Sequence, residues 1–269
     1  MPTAIKYFTV FGGIDIQIDT SKPLLELVEK HILKEYNNLR SEVNYLTGGY
    51  SVDHAILSGI ALGDRKTTNA FKRAHVSFEE GMKCVDSLCE KGIIETESSQ
   101  HFMANKRSDT KIAKKLLFTN PFMRFWFGFV SPIYKGIKEG NFEEFYSKFA
   151  GREADFSDFI FEELALAYLK VIFEDDPVKQ VGQYWDEKIQ ITPLAKTNSG
   201  KVIAGYCKYS DVKMKKSELN TLLQNCQNSG IVPDIVVLFA KNGYSTELKS
   251  LKSENLRLFS AKSLKSLVG

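Results

Sequence analysis

The chain has 269 residues, 43% of them hydrophobic and 26% charged, and a formal net charge of +3. This composition excludes a disordered chain and provides enough apolar mass for two or three packed domains. The longest apolar run, FWFGFV at 125–130, is far short of the roughly 20 residues a helix needs to span a bilayer.

The opening stretch, MPTAIKYFTVFGGID, carries a lysine and an acid where a secretory signal would need a longer apolar region, so a cytoplasmic protein without a membrane partner is expected. Residues 22–46 place Leu24, Leu25, Val28, Ile32, Leu33 and Leu39 at helical spacing behind Ser21 and Pro23, with a break expected near Asn37. DHAILSGIALG reads as a short helix ending at Gly63. TTNAFKRAH and SFEEGMKCVDSLCEKG follow as two more, the second with Ser77 and Glu80 at capping-box spacing. IIETE and KIAKKLLF are β-like runs on either side of the polar tip SSQHFMANKRSDT. Three helices and two such strands spell a winged helix-turn-helix, with the Ser77 helix as recognition helix and the tip as wing. Glu79, Glu80 and Asp86 on that helix face a phosphate backbone poorly.

From Phe118 the chain turns aromatic, as suits a helical connector in which Trp126 and its neighbours are core. After Gly151 the period changes. SDFIFEELALAYLKVIF reads as a helix, QVGQYW, KIQITPLA and KVIAGYCKY as strands, MKKSELNTLLQNCQNSG as a helix and PDIVVLFA as a strand. A helix at 243–252, the strand LRLFS and a terminal helix complete the chain. AKTNSGKV superficially resembles a phosphate-binding loop, but Ala195 replaces its first glycine and Val202 its hydroxyl, so it reads as a hairpin turn. The expected class is mixed α+β. The expected segments are a lid-like helical part (1–50), a winged helix (51–120), a connector (121–152) and an α/β domain (153–269). Cys84, Cys89, Cys207 and Cys226 form no C-x-x-C pair and have no histidine at ligand spacing, so reduced thiols are expected.

Basic residues cluster at 106–115, with five basic groups and one acid, and at 208–216, with four and one. Lys106, Arg107, Lys111, Lys208, Lys213, Lys215 and Lys216 are therefore the candidate contacts to nucleic acid, expected to be DNA. The order helix, three strands, helix, strand resembles the core of the restriction-endonuclease-like, PD-(D/E)xK nucleases. That resemblance implies a helix acid, an acid on the second strand, and an acid two residues before a lysine on the third, together holding Mg²⁺. Here Glu162 and Glu163 lie on the helix and Lys208 ends the third strand, but Gln190 and Tyr206 stand at the other two positions. At an effective dielectric of about 20, each lost charge forfeits about 4 kcal/mol with a unit charge 4 Å away, and more with a dication. Glu163, Gln190, Tyr206 and Lys208 thus read as the remnant of a nuclease site, with no metal and no cofactor expected.

KYFTVFGGI resembles the lid of archaeal-type AAA ATPases. FTNPFMRFWFGFV, FEELALAYL, GQYWDEKIQITPLA and GYCKYS resemble the C-terminal domain of those ATPases, domain of unknown function 234, whose members carry G-E-C-K where this chain has Gly205, Tyr206, Cys207 and Lys208. The P-loop domain of those ATPases has no counterpart ahead of KYFTVFGGI, which implies the back part of a split or truncated ATPase. Three functions follow as expectations. The first is a non-catalytic nucleic-acid-binding protein. The second is a Mg²⁺-dependent nuclease using displaced carboxylates such as Glu163, Asp186 or Asp211. The third is an interaction module that docks an ATPase subunit or itself.

Overall fold

The computed structural model describes residues 2–63, 65–103 and 112–268. They fall into two compact units: a helical unit (6–98 and 113–153) and a sheet unit made of the described residues among 1–5, 99–112 and 154–269. The architecture is mixed α+β, helical toward the N-terminus and built on a mixed sheet in the C-terminal part.

In the first half, α1 (Pro2–Phe11) is followed by α2 (Leu24–Val28), which continues as a π-helical turn over Glu29–Leu33, and by α3 (Tyr36–Thr47). The break thus falls at Lys34 and Glu35, just ahead of Asn37, and the buried stripe contains Leu27 where Leu25 was expected. The reason is rotational: Leu27 lies beside Val28 on the packed face, whereas Leu25 is 42% exposed. Next come α4 (Ser51–Ala61), α5 (Thr67–Ala74) and α6 (Phe78–Glu90). Ser77 caps α6, its Oγ accepting from Glu80 N at 3.2 Å. The antiparallel pair β1 (Ile94–Glu97) and β2 (Lys115–Phe118) runs in register from Ile94↔Phe118 to Glu97↔Lys115. Three helices and a hairpin are therefore present in the order expected. The start of the intervening loop departs from a free tip, because Ser99–Met103 lies against the sheet unit's edge strand.

α7 (Pro121–Phe125) opens under an Asn120 cap and continues as a π-helical turn over Trp126–Val130, and α8 (Tyr134–Lys138) follows. Their aromatic side chains are the core of the helical unit. Trp126 stacks on Tyr36 at 5.6 Å, and Phe125 packs on Phe129, Phe145 and Phe149. At roughly 1.5–3 kcal/mol per buried side chain, these rings are a large part of what holds the unit together. α9 (Glu143–Ile172) is a single helix of 30 residues, where a boundary was expected after Gly151. One exposed glycine costs only about 1 kcal/mol, too little to stop a helix whose two ends both bury apolar faces.

The sheet unit has strands β3 (Val178–Trp185), β4 (Gln190–Thr197), β5 (Val202–Lys208), β6 (Ile235–Ala240) and β7 (Leu256–Ser260), in that spatial order. The β3–β4 and β4–β5 pairs are antiparallel, and the β5–β6 and β6–β7 pairs are parallel. The crossover between β5 and β6 is α10 (Lys216–Ser229). Tyr168 of α9 meets Phe239 and Phe259 on one face. Leu219, Leu222 and Cys226 of α10 join Ala204, Val236 and Leu238 on the other. AKTNSGKV is the end of β4, a turn, and the start of β5, as a hairpin reading requires. Asp176 fastens that turn by accepting from Ser199 N and Oγ at 2.9 and 2.5 Å. α11 (Thr246–Ser250) and a closing 3₁₀ turn (Ser263–Val268) complete the unit. Among the described residues, no helix is long and apolar enough to cross a membrane.

Candidate functional site

β5 reaches its neighbours more closely than a side chain would allow. A Cβ on Gly205 would lie 2.6 Å from Pro193 Cδ and 2.7 and 2.8 Å from Val237 Cγ2 and O. Strand alternation then separates the next residues. Tyr206 and Lys208 share Ala204's side, toward α10, while Cys207 and Tyr209 turn toward α9, where Tyr209 packs on Phe161 at 5.3 Å.

Lys208 does not end in solvent. Its Nζ donates to Glu218 Oε1 in the first turn of α10, and the two side chains are only 20% and 21% exposed. Glu218 Oε2 in turn accepts from Lys215 N at 2.9 Å and Ser217 Oγ at 3.0 Å. Burial pushes the Glu218 carboxyl up, but the bonds from Lys208, Lys215 and Ser217 outweigh it and hold it at about 2. The lysine is thus neutralised by a carboxylate, ten residues along the chain, that is ionised at neutral pH.

Tyr206 is 38% exposed. Its phenol is raised first by burial and then by the negative charges of Asp158, Glu218 and Glu162. Asp158 Oδ1 accepts from Tyr209 N at 3.0 Å, which ties α9 to the end of β5. Cys207 is buried, and burial followed by Glu162 and Asp158 drives its thiol well above the ordinary value, which disfavours the thiolate. The helix acids that act on this strand end are therefore Asp158 and Glu162, one helical turn apart; Glu163 lies about 100° further round α9.

Gln190 pairs with Trp185 of β3, and the ladder between β4 and β5 stops at Leu194↔Ala204 before reaching it. Its Nε2 donates to Thr192 Oγ1 at 3.2 Å, which donates to Gln183 Oε1 at 3.1 Å, a chain of neutral groups. Asp186 closes the β3–β4 turn by accepting from Lys188 N and Ile189 N, both at 2.8 Å. Asp211, 88% exposed, pairs with Lys241 at 2.7 Å. Among the described residues, no three histidine, cysteine or acidic groups are placed to hold a metal ion.

The basic run 208–216 is partly neutralised in the same way, because Lys216 pairs with Glu247 at 3.0 Å. Lys213 and Lys215 are exposed and have no ion-pair partner among the described residues. Lys106, Arg107 and Lys111 lie outside the described residues. On α6, Glu79, Glu80, Asp86 and Glu90 are exposed, with Lys83 bound to Glu79 at 2.9 Å. Sequence reasoning missed Glu218 and Asp158. The one local signal was Glu218 standing three residues after Lys215 at a helix start, the position from which a glutamate reaches back to its own N-cap.

Residues 126–220 match the family model DUF234, described as archaea bacterial proteins of unknown function. The match covers about a third of the chain, from Trp126 into α10, and so includes Tyr206, Lys208 and Glu218. No curated protein matches the chain. Among solved structures, the chain is similar to protein VC1899 from Vibrio cholerae, at 11% identity and a TM-score of 0.29, over 84% of this chain and 53% of that one. The chain spans about half the length of that protein. A likeness this distant carries no argument about fold or function.

Proposed function

We propose that this protein binds nucleic acid, with DNA the expected form, and does not cut it. The observation that carries this reading is the Lys208–Glu218 pair. In a PD-(D/E)xK site the strand-end lysine serves a metal-bound water and the scissile phosphate. Here it is occupied by a carboxylate of its own domain, beside an amide and a phenol, so neither Mg²⁺ nor another cofactor has a role. The phosphate contacts therefore fall to Lys213 and Lys215, with the basic residues Lys106, Arg107 and Lys111 of the sequence between β1 and β2. The displaced-carboxylate nuclease is the weaker alternative, since Asp186 holds a turn and Asp211 pairs with Lys241.

The test is anisotropy of a labelled duplex and a labelled single strand against protein at low and moderate salt. Binding near micromolar protein at low salt is expected to weaken steeply as salt rises. Lys213→Glu with Lys215→Glu is expected to lower the salt slope by about one per lysine, and Lys208→Ala to leave it unchanged. Absence of salt-dependent binding at micromolar protein overturns the reading.

A second reading is supported by the acidic face of α6 and by Phe78, 63% exposed at its start. That helix has the wrong sign for a phosphate backbone and the right sign for a basic protein partner, such as the ATPase subunit implied by the lid-like segment. Glu79→Lys with Glu80→Lys separates the two readings. It strengthens DNA binding if α6 lies near phosphate and abolishes capture of a basic partner if α6 is a protein dock.

A further inference from the structure

The loops that leave the carboxyl ends of β5 and β6 are bonded to each other, at the end of the sheet where open α/β folds hold their ligands. Lys241 N donates to Lys208 O at 3.0 Å, one rung past the last strand pair, Lys208↔Ala240. Met214 and Tyr244 then form a parallel bridge, with Met214 N donating to Gly243 O and Ser245 N to Met214 O, both at 2.9 Å. Met214 is fully buried and belongs to the sheet core, and Lys215 after it has extended backbone. Side chains alternate along an extended segment, so burying Met214 turns Lys213 and Lys215 together to the outside, where both are exposed.

A clasp of side chains sits beside those rungs. The Lys241 side chain is only 17% exposed; its Nζ lies 4.8 Å from the centre of the Tyr209 ring and 2.7 Å from Asp211 Oδ1. Asn242 Nδ2 donates to Asp211 O. Two consecutive residues of one loop thus hold the carboxylate and the carbonyl of a single residue in the other. Lys216 and Glu247 repeat the tie at 3.0 Å, further along. Covered by a ring and neutralised by a carboxylate, Lys241 is poorly placed to meet a phosphate itself. What it does is fix the loop from which Lys213 and Lys215 project. A loop already ordered loses less chain entropy when it binds.

We propose that Lys241 and Asn242 are positioning residues, which hold the loop after β5 in the one conformation that presents Lys213 and Lys215 side by side to a phosphate backbone. This rests on the reading that those two lysines contact nucleic acid. It adds that their contribution depends on two residues which touch no phosphate.

The full chain carrying Asp211→Asn, Lys241→Gln and Asn242→Ala loses the ion pair, the ring contact and the side-chain bond with no change in net charge, so the long-range field is preserved. Anisotropy of a labelled DNA duplex over a salt series is run alongside hydrogen exchange of the peptide covering 209–216. Exchange at Met214 is expected to quicken, and the dissociation constant to rise about fivefold at every salt concentration, as the competent fraction of the loop falls. The salt slope is expected to stay that of the unmodified chain, because the phosphate contacts are the same. Quickened exchange with an unchanged dissociation constant overturns the proposal, and so does unchanged exchange. A slope lowered by one or more also overturns it, by making Lys241 a contact. Lys213→Glu with Lys215→Glu tells the two failures apart. If that pair leaves affinity and slope untouched, the nucleic-acid reading of these lysines falls; if it lowers the slope while the triple variant binds normally, only the positioning role falls. Should the triple variant lose its far-UV helical signal, Asn242→Ala alone, also neutral in charge, is read by the same criteria.

Discussion

Replacing Gly205 by alanine inserts one methyl group into the most crowded point of the sheet unit. The new carbon would lie 2.6 Å from Pro193 Cδ, 2.7 Å from Val237 Cγ2 and 2.8 Å from Val237 O, against an optimum near 3.5–4.0 Å for carbon pairs. Relief requires about 1 Å of movement, and the three obstacles cannot easily supply it. One is a proline ring, one belongs to a fully buried valine, and one is a backbone carbonyl. Overpacking of this kind costs about 1–3 kcal/mol, and the backbone contact places it toward the upper end. Alanine recovers about 0.5–1 kcal/mol through its smaller loss of chain entropy. The net expectation is a loss of about 2 kcal/mol, a large share of the 5–15 kcal/mol by which domains are usually stable. Urea unfolding, with hydrogen exchange of the β5 and β6 peptides to assign the transition, measures it through a lowered midpoint at unchanged slope. Gly151→Ala is the matched control. Gly151 is exposed within α9, with nothing inside 4 Å of its would-be Cβ, so the same substitution there is expected to stabilise by about 0.5–1 kcal/mol. Equal midpoints for Gly205→Ala and the unmodified chain would refute the claim that β5 needs a glycine for close approach.

Two further outcomes follow from charge. Glu218→Gln strands Lys208 without its carboxylate and is expected to cost about 1–2 kcal/mol at neutral pH, between the values for exposed and buried pairs, as read by thermal unfolding. Because the folded carboxyl sits at about 2, below its unfolded value, its contribution is present above pH ~4.5 and is lost as pH falls toward 2. The variant should lack that part of the acid limb, and an identical limb in both proteins would count against the pair. His54 has the opposite chemistry. Thr47 Oγ1 donates to Val43 O at 2.8 Å and so must accept from His54 Nε2–H, also at 2.8 Å. Burial holds the imidazole below its ordinary value, so the folded state binds its proton less readily than the unfolded chain does. Stability is then expected to fall as pH drops through ~6.5, and His54→Gln to flatten that region of the unfolding profile.

Some of this was legible because it is local. Helical and strand periods gave the run of elements from α4 to β2 and from β3 to β7, and the Ser77 cap needed only its neighbours three residues on. That positions 190 and 206 carry an amide and a phenol was likewise plain from the chain. Gly151 misled the reading because propensity is a weak term, and α9 is held through it by the faces it buries on either side.

What the chain alone determined was therefore its secondary-structure order and the chemical character of each position, since both depend on residues within a turn or two of one another. Which carboxylate would meet Lys208, that Asp158 would cap Tyr209, and that a loop at Ser99 would bond to Trp185 were decided only when distant segments packed. Such pairings depend on strand register and on where α9 and α10 cross the sheet. Hydrophobic periodicity records that a face is buried, but not what it is buried against.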